Sequence, residues 1–429
     1  MELVPAEVDK LQRLVDDWIL HDDRELEATF NNASDTTTFL AVAQRLVAKG
    51  YTALPQEDKM NIITPSHVRY TLTGMAAIEE YCRDDTLTGK PFEAITKQRA
   101  GVEDQIDLLN YNTRVKVRRE DALENNDPTV VDMLGNWASQ RKAFRILRRW
   151  TFMDKTRGVR FDLSMIRSSP KAKNGEYIWQ SKFLQRDITK ESAFYEIEVE
   201  LLRPDTVPGE AEARAALSKE CFKNLIRGVG EVLRGIQKHS ILIRNSVAKK
   251  ALAGYKDLTK TDRFRGVAPI TMVISNIRKE KVPGEANIRE GYNVTDKADG
   301  LRMMGYVDER GELFMIDMSM YVYRTGLIRN ACANSLVDGE FVTRDKEGNS
   351  ISQFMLFDCY IASEKNDVTK LPFMGSDATH REGGRYGHLM TWIEKWNEGD
   401  GPTVAKGAGV TDSNKISVSA KEFKFANAG

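Results

Sequence analysis

The chain has 429 residues, with 63 basic against 63 acidic side chains; that length suggests two or three domains, and zero net charge excludes a protein that coats nucleic acid through bulk charge. Cys82, Cys221, Cys332 and Cys359 lie far apart with no C-x-x-C pair, which excludes a disulfide scaffold and a zinc ribbon and fits a reducing compartment. No apolar run approaches the roughly 18 residues of a membrane span and the N-terminus is acidic rather than a basic signal peptide, so no membrane partner is expected.

Apolar residues at helical spacing (Val8, Leu11, Leu14, Val15, Trp18) predict a helix over 5–20, followed by a short strand in ELEATF and a second helix over 36–49 that ends at Gly50. From about 60 to 200 the pattern is strand-rich: HVRYTLTG, YNTRVKVRRE, RRWTFM, GVRFDLSMI and YEIEVELL, interrupted by helices at 74–83 and 129–143. After Arg203-Pro204-Asp205 the composition turns helical, which predicts a first domain over 1–205 and a helical connector over 206–255. An α/β region over 256–429 follows, with strands in YNVTDKADG, LRMMGYVDE, LFMIDMSMYVY, SLVDGEFVTR and SQFMLFDCYI and a loop over 397–414. The Met-rich stretch from Met303 to Met320 is most simply core. His21, His67, His239, His380 and His388 share no ligand spacing.

Charge is concentrated locally. The first thirty residues hold nine acids and three bases, whereas residues 141–160 hold eight bases and one acid. Alternate side chains of a strand share a face, so Glu25 and Glu27 point one way, as do Glu196, Glu198 and Glu200. Arg114, Lys116 and Arg118 alternate in the same manner, as do Arg160, Asp162 and Ser164. A sheet with one solvated face would show this alternation. Carboxylates crowded on an inward face instead need a cation among them, most simply a divalent metal with oxygen ligands. Beside Arg and Lys clamps, that arrangement suits phosphoanhydride hydrolysis.

ELEATF and YEIEVELL resemble the first and last glutamate motifs of the metal-dependent, tunnel-type RNA triphosphatases of fungal, protist and large-DNA-virus capping enzymes. RRWTF followed by GVRFDLS is similar to that family's central Arg strand and its Arg-x-Asp-Leu-Thr strand, and the likeness covers about residues 20–202. The resemblance implies an α+β chain that begins with an antiparallel eight-stranded β tunnel of the triphosphate tunnel metalloenzyme type. It implies that Glu25, Glu27, Glu198 and Glu200, supported by Glu196, hold Mn²⁺ or Mg²⁺. Arg149, Arg160, Asp162 and Ser164 would line the tunnel and grip phosphates, with Arg69, Arg114 and Lys116 matching more loosely. Leu147 departs from the pattern, which has a second basic residue there; Arg145 or Arg148 would take its place. The implied reaction is removal of the γ-phosphate from 5′-triphosphate RNA.

Lys297-Ala298-Asp299-Gly300-Leu301-Arg302 forms a K-x-D-G-x-R block, with Asp338-Gly339-Glu340 about forty residues later and Phe357-Asp358 beyond. Asp-Gly alone is a common turn. In this order the three segments resemble motifs I, III and IIIa of the covalent nucleotidyltransferases, and the flanks RGVAPITM and YNVTDKADGLRMMGYV resemble large-virus capping enzymes. The resemblance implies GTP as substrate, with Lys297 as the nucleophile that forms lysyl-GMP and with its pKa depressed by neighbouring cations and the metal. Asp299 belongs to the same block, Arg302 would contact ribose or phosphate, Glu340 ribose or metal, and Phe357 the guanine. Met318 stands where the pattern has an arginine. The guanylyltransferase part is expected to be partial, lacking a second Asp-Gly strand, a Lys-x-Lys strand and an OB domain, so little lysyl-GMP is expected.

A capping protein of this kind would work on 5′-triphosphate RNA and GTP, with a cap methyltransferase domain or subunit as a further partner, in a virion or the host cytoplasm if viral. The alternatives are a general tripolyphosphatase of the same tunnel type, a non-catalytic docking module for a polymerase or methyltransferase, and a polynucleotide ligase in the C-terminal half.

Overall fold

The computed structural model describes all residues except 32–34, 281, 290, 378 and 426–429, and it divides into two compact units, Met1–His239 and Ser240–Gly429.

In the first unit the elements run α1 (Pro5–Leu20), β1 (Arg24–Phe30), α2 (Thr36–Ala48), β2 (Thr52–Ala53), β3 (Glu57–Ile63), β4 (Val68–Thr73), α3 (Met75–Asp84), β5 (Glu93–Arg99), β6 (Gln105–Leu108), β7 (Thr113–Leu123), α4 (Pro128–Gly135), β8 (Ala143–Asp154), β9 (Val159–Ser168), β10 (Phe194–Leu201) and α5 (Ala211–Ile236). Among the described residues, eight strands pair in the order β1-β10-β9-β8-β3-β4-β5-β7, all antiparallel, and β7 pairs back onto β1. The sheet therefore closes into a barrel and leaves no free edge. The short β2 and β6 are appended to β8 and β7.

Closure inverts the usual reading of an alternating strand. The apolar face of β9 and β10 (Val159, Phe161, Leu163, Ile197, Val199, Leu201) points outward and is buried under helices, while Arg160, Asp162, Glu198 and Glu200 line the interior. Helix α5 covers part of that outer face at very close range: a Cβ at Gly228 would lie 2.8 Å from Val159 Cγ1, and one at Gly235 2.8 Å from Val42 Cα on α2. On another side Met60, Ile62, Tyr70, Leu72 and Phe144 pack with Tyr81 of α3 and with Val130 and Trp137 at and after α4. The segment read as a connector over 206–255 is thus two helices. The first, α5, packs on α1, α2 and β10 and belongs to the barrel unit.

The second unit runs α6 (Asn245–Thr259), β11 (Asn293–Thr295), β12 (Leu301–Val307), β13 (Glu312–Asp317), β14 (Val322–Ile328), β15 (Ser335–Arg344), β16 (Ser350–Ala362), β17 (Asn366–Asp367), α7 (Arg385–Asn397), β18 (Thr403–Val404), β19 (Ser417–Ala420) and β20 (Phe423–Phe425). Its main sheet has the order β17-β16-β15-β12-β13-β14-β18, with β19 added parallel to β16, and β11 pairs separately with β20. Both faces are covered. Met303, Met315, Phe354 and Leu356 pack with Trp392 and Trp396 of α7, and Met304, Tyr306, Phe314 and Ile316 pack with Tyr255 of α6. Two buried faces explain the nearly continuous apolar strands.

Several predicted elements are corrected. The helix expected over 129–143 stops at Gly135, and Ala143 already begins β8. LFMIDMSMYVY is a hairpin rather than one strand: the Asp317 carboxylate accepts from the backbone N–H of Ser319 and of Tyr321, both at 2.9 Å, and turns the chain. Of YNVTDKADG only Asn293–Thr295 is strand, so Lys297 lies in a loop. Strands β3 and β5 and helix α7 had not been predicted.

Candidate active site

Register determines which side chains meet inside the barrel. Glu27 on β1 stands opposite Glu200 on β10, and Thr29 opposite Glu198. On the other flank of β1, Glu27 faces Lys116 and Glu25 faces Arg118. Glu196, Glu198 and Glu200 face Ser164, Asp162 and Arg160 of β9, and Ser164 in turn faces Arg149 of β8. Around the rest of the ring the inward positions are Lys59 and Asn61 on β3, Arg69 and Thr71 on β4, Lys97 on β5 and Glu120 on β7. The tunnel-facing residues singled out in the sequence thus share one interior surface, from strands far apart in the chain.

Within that surface acids and bases alternate. Arg149 donates to Asp162 at 2.8 Å, to Ser164 Oγ at 3.1 Å and to Glu198 at 3.3 Å. Arg160 bridges Asp162 at 3.1 Å and Glu200. Asp162, only 4 % exposed, also accepts from Thr151 Oγ1 at 2.7 Å. Lys116 holds Glu27 at 2.7 Å. Lys97, which the sequence reading missed, reaches Glu25 at 2.6 Å, Glu120 at 2.9 Å and Glu27 at 3.7 Å. Burial alone would lower the Lys97 pKa, but the charges of Glu27, Glu25 and Glu120 outweigh it and hold the ammonium above its ordinary value.

The Leu147 position is resolved by geometry. Leu147 is buried on the interior face, and Arg145 on the same face binds Glu196 at 2.9 Å. Arg148 points to the outer face and binds Asp58 at 2.8 Å. Glu196 lies beyond the β1 pairing, where Arg145 donates to it. Arg114 occupies a tunnel-facing register position, but its side chain is 43 % exposed and engages Asp107 at 2.7 Å.

Two glutamates carry unusual electrostatics. Burial pushes the pKa of Glu198 upward, and Glu27 and Glu196 add to it; burial does the same for Glu200, with Arg160 opposing and Glu25 and Asp162 reinforcing. Their side chains keep 17 % and 16 % of their surface free, so they open onto the tunnel while lying deep within the barrel. Among the described residues no three acidic, histidine or cysteine side chains converge as a ready-made metal cage, and Glu25, Glu27, Glu198 and Glu200 each pair with Lys or Arg. The donor set nevertheless has the chemistry of a hard divalent cation, carboxylate oxygens only.

In the second unit Lys297 sits in the loop before β12, 87 % exposed, with its Nζ donating to Asp299 at 2.9 Å. The hydrogen bond to Asp299 holds its pKa above the ordinary lysine value. Arg302, Glu340 and Phe357 do converge. Arg302 binds Asp338 at 2.6 Å, and its guanidinium lies 5.6 Å from the Phe357 ring centroid. Glu340 accepts from the Gly300 backbone at 3.0 Å and from Lys421 at 2.9 Å. Lys421, also unpredicted, stands 5.4 Å from the same Phe357 ring. The parallel pairing of β19 with β16 brings it there, which no local sequence signal announces. Met318 is exposed at the β13–β14 turn.

Solved structures that resemble the chain include the RNA triphosphatase domain of a mimivirus mRNA capping enzyme (17 % identity, 52 % of this chain and 100 % of that one, TM-score 0.35) and the S. pombe Pct1 RNA triphosphatase (9 %, 56 % and 91 %, TM-score 0.29). The barrel assignment rests on the strand pairing itself. An mRNA-capping enzyme of Danio rerio is 30 % identical over 104 residues, which is 22 % of this chain and only 16 % of that protein's length. Residues 228–427 match the family model of the mRNA capping enzyme catalytic domain.

Proposed function

We propose that the chain acts in mRNA capping, the first unit as a metal-dependent RNA 5′-triphosphatase and the second as the nucleotide-binding part of a guanylyltransferase. The observation that carries the first half is the register that sets Glu27 against Glu200 inside a closed barrel, flanked by Lys97, Lys116, Arg149 and Arg160. The match of residues 228–427 supports the second half.

Glu25, Glu27, Glu198 and Glu200 would hold Mn²⁺ or Mg²⁺, with Glu196 in support; the ion would polarise the γ-phosphoryl group. Arg149 and Arg160 are placed to neutralise charge on the phosphoryl oxygens; Asp162 and Ser164 hold those guanidinium groups in position, and Thr151 donates to Asp162. A tunnel carboxylate orients the water, whose oxygen bonds to the γ-phosphorus as the β–γ bridging bond breaks and diphosphate-ended RNA leaves. In the second unit the Lys297 amine, once deprotonated, would attack the α-phosphorus of GTP, forming a P–N bond and releasing pyrophosphate. Leaving its Asp299 partner is part of that step.

The test is release of labelled phosphate from γ-labelled triphosphate RNA with Mn²⁺, comparing the chain with Glu27→Ala and Glu200→Ala. Loss of about a hundredfold or more in both variants is expected. Wild-type release unaffected by either substitution would overturn the reading. Equal rates on inorganic tripolyphosphate and on triphosphate RNA would instead favour a general tripolyphosphatase.

A further inference from the structure

The connection from β9 to β10 places two aromatic rings and a lysine at one mouth of the barrel. The pairing of β1 with β10 stops at Thr29 and Glu198, so Glu196 and Arg145, with Ser168 opposite Arg145, form the rim of that end. Just beyond Ser168 the chain enters a tight hairpin. Lys171 pairs with Tyr177, the Ile178 N–H donates to the Pro170 carbonyl at 2.8 Å, and Gly175 takes a φ of +85° at the tip. The base of the hairpin is tied to the start of β8. Lys142 and Gln180 exchange backbone hydrogen bonds at 2.7 and 2.9 Å, and the Gln180 side chain donates to the Lys182 and Phe183 carbonyls, both at 3.0 Å. The hairpin is therefore fixed to the barrel wall.

Tyr177 and Trp179 stand two residues apart in its returning arm, with ring centroids 5.8 Å from each other. Lys171 Nζ lies 4.8 Å from the Tyr177 ring centroid. Both rings are half-buried, whereas Lys171 is exposed. Tyr177 also reaches the tunnel: burial works against the charge of Arg145, but Glu196 and then Tyr177 raise its pKa.

We propose that Tyr177, Trp179 and Lys171 form a stacking site for the first nucleobase of a 5′-triphosphate nucleoside whose phosphates occupy the tunnel. This rests on the triphosphatase reading and adds the feature that tells a nucleotide from inorganic tripolyphosphate. Arg149 and Arg145 are four strand positions apart, roughly 13 Å, comparable with the span from a γ-phosphate to the base of its own nucleoside. Every nucleobase has a π-face, so stacking on these rings is blind to sequence. Two sources share that chemistry, RNA and free nucleoside triphosphates. Lys171 favours RNA, since a cation beyond the first base meets a following phosphate only in a polynucleotide.

The experiment uses the full chain with Mn²⁺ and three substrates: triphosphate-ended RNA, ATP and inorganic tripolyphosphate. Tyr177→Leu combined with Trp179→Leu keeps apolar bulk and removes the π-faces, and Tyr177→Phe combined with Trp179→Phe restores them. The leucine pair should raise KM roughly tenfold for RNA and ATP with kcat within about twofold, and should leave both constants for tripolyphosphate within about twofold. The phenylalanine pair should stay near wild type. Lys171→Glu should raise KM several-fold for RNA alone. If it leaves RNA unchanged while the leucine pair raises KM for both nucleotides, the site is upheld with free nucleotides as its occupant. KM values for RNA and ATP that ignore the leucine pair overturn the proposal. So does a tripolyphosphate loss that matches theirs and that phenylalanine does not rescue, because the hairpin then only supports the tunnel. Should the leucine pair not fold, Trp179→Leu alone decides by the same criteria. Affinity for a triphosphate-ended oligonucleotide, read by fluorescence anisotropy in EDTA, keeps the two readings apart. A wild type that releases no phosphate yet binds this oligonucleotide tenfold more tightly than the leucine pair loses the tunnel chemistry and retains the stacking site; equal affinity removes both.

Discussion

Arg145 and Arg148 are three residues apart on one strand, yet they face opposite sides of the barrel wall and belong to different chemistries. Arg145 stands on the interior beside Glu196, whereas Arg148 makes a partly exposed pair with Asp58. Removing a positioned cation from a phosphoryl site costs tenfold to a thousandfold, whereas an outer-surface ion pair is worth about 0–1 kcal/mol. Arg145→Ala should therefore lower phosphate release from triphosphate RNA at least tenfold and Arg148→Ala less than twofold; equal effects would show that the interior position is not used. In the second unit Asp338 is fully buried and binds both Arg302 and the Tyr360 hydroxyl, the latter at 2.9 Å. Asp338→Leu leaves the Arg302 charge half-buried and unpaired, so about 3–5 kcal/mol of stability should be lost in urea unfolding. Asp338→Leu with Arg302→Met should recover much of it, because the pair is then removed together.

Helix α5 shows how a glycine can mean opposite things within one element. Gly235 abuts the Val42 backbone, whereas a Cβ at Gly230 would meet only the flexible end of Arg234, at 3.2 Å. Helix propensity favours alanine at both by about 1 kcal/mol. At Gly235 overpacking should reverse the sign and cost about 1–3 kcal/mol net, so urea midpoints should fall for Gly235→Ala and hold or rise for Gly230→Ala. The sequence announced α5 by its composition and α1 by its apolar spacing, and it announced the glutamate strands because β10 alternates cleanly between Glu and Ile, Val or Leu. It was mute on β3 and β5. EDKMNII and EAITKQR mix polar and apolar residues on both faces, so neither period stands out, and Lys97 went unseen with β5, whereas Glu120 lies on β7, which was predicted. Helix α7 is a different kind of miss, since Leu389, Trp392 and Trp396 do recur at helical spacing and are buried together. Whether a polar face points to water or into a tunnel was not local information at all. Only β7 returning to β1 decides it.

At the scale of the molecule the question is where the barrel unit ends, since a boundary at 205 and one at 239 differ by the whole of α5. Leu225, Val229, Val232 and Leu233 of that helix are each at most 1 % exposed. At about 1.5–3 kcal/mol per buried apolar side chain, these four contribute on the order of 6–12 kcal/mol, comparable with the 5–15 kcal/mol that holds an ordinary domain together. A fragment of residues 1–239 should therefore unfold cooperatively, whereas residues 1–205 should aggregate or melt without a transition, with Val159, Phe161 and Val199 stripped of cover. The longer fragment also isolates the metal question. A cation that binds only the folded tunnel stabilises it by about 2.7 kcal/mol at a hundred times its dissociation constant. Mn²⁺ should raise the fragment's melting temperature by several degrees, and a chelator should return it to the starting value. Glu27→Ala combined with Glu200→Ala should melt at one temperature with or without the ion. A variant that still responds would mean that the cation binds elsewhere, and the carboxylates facing each other across β1 and β10 would then need another partner.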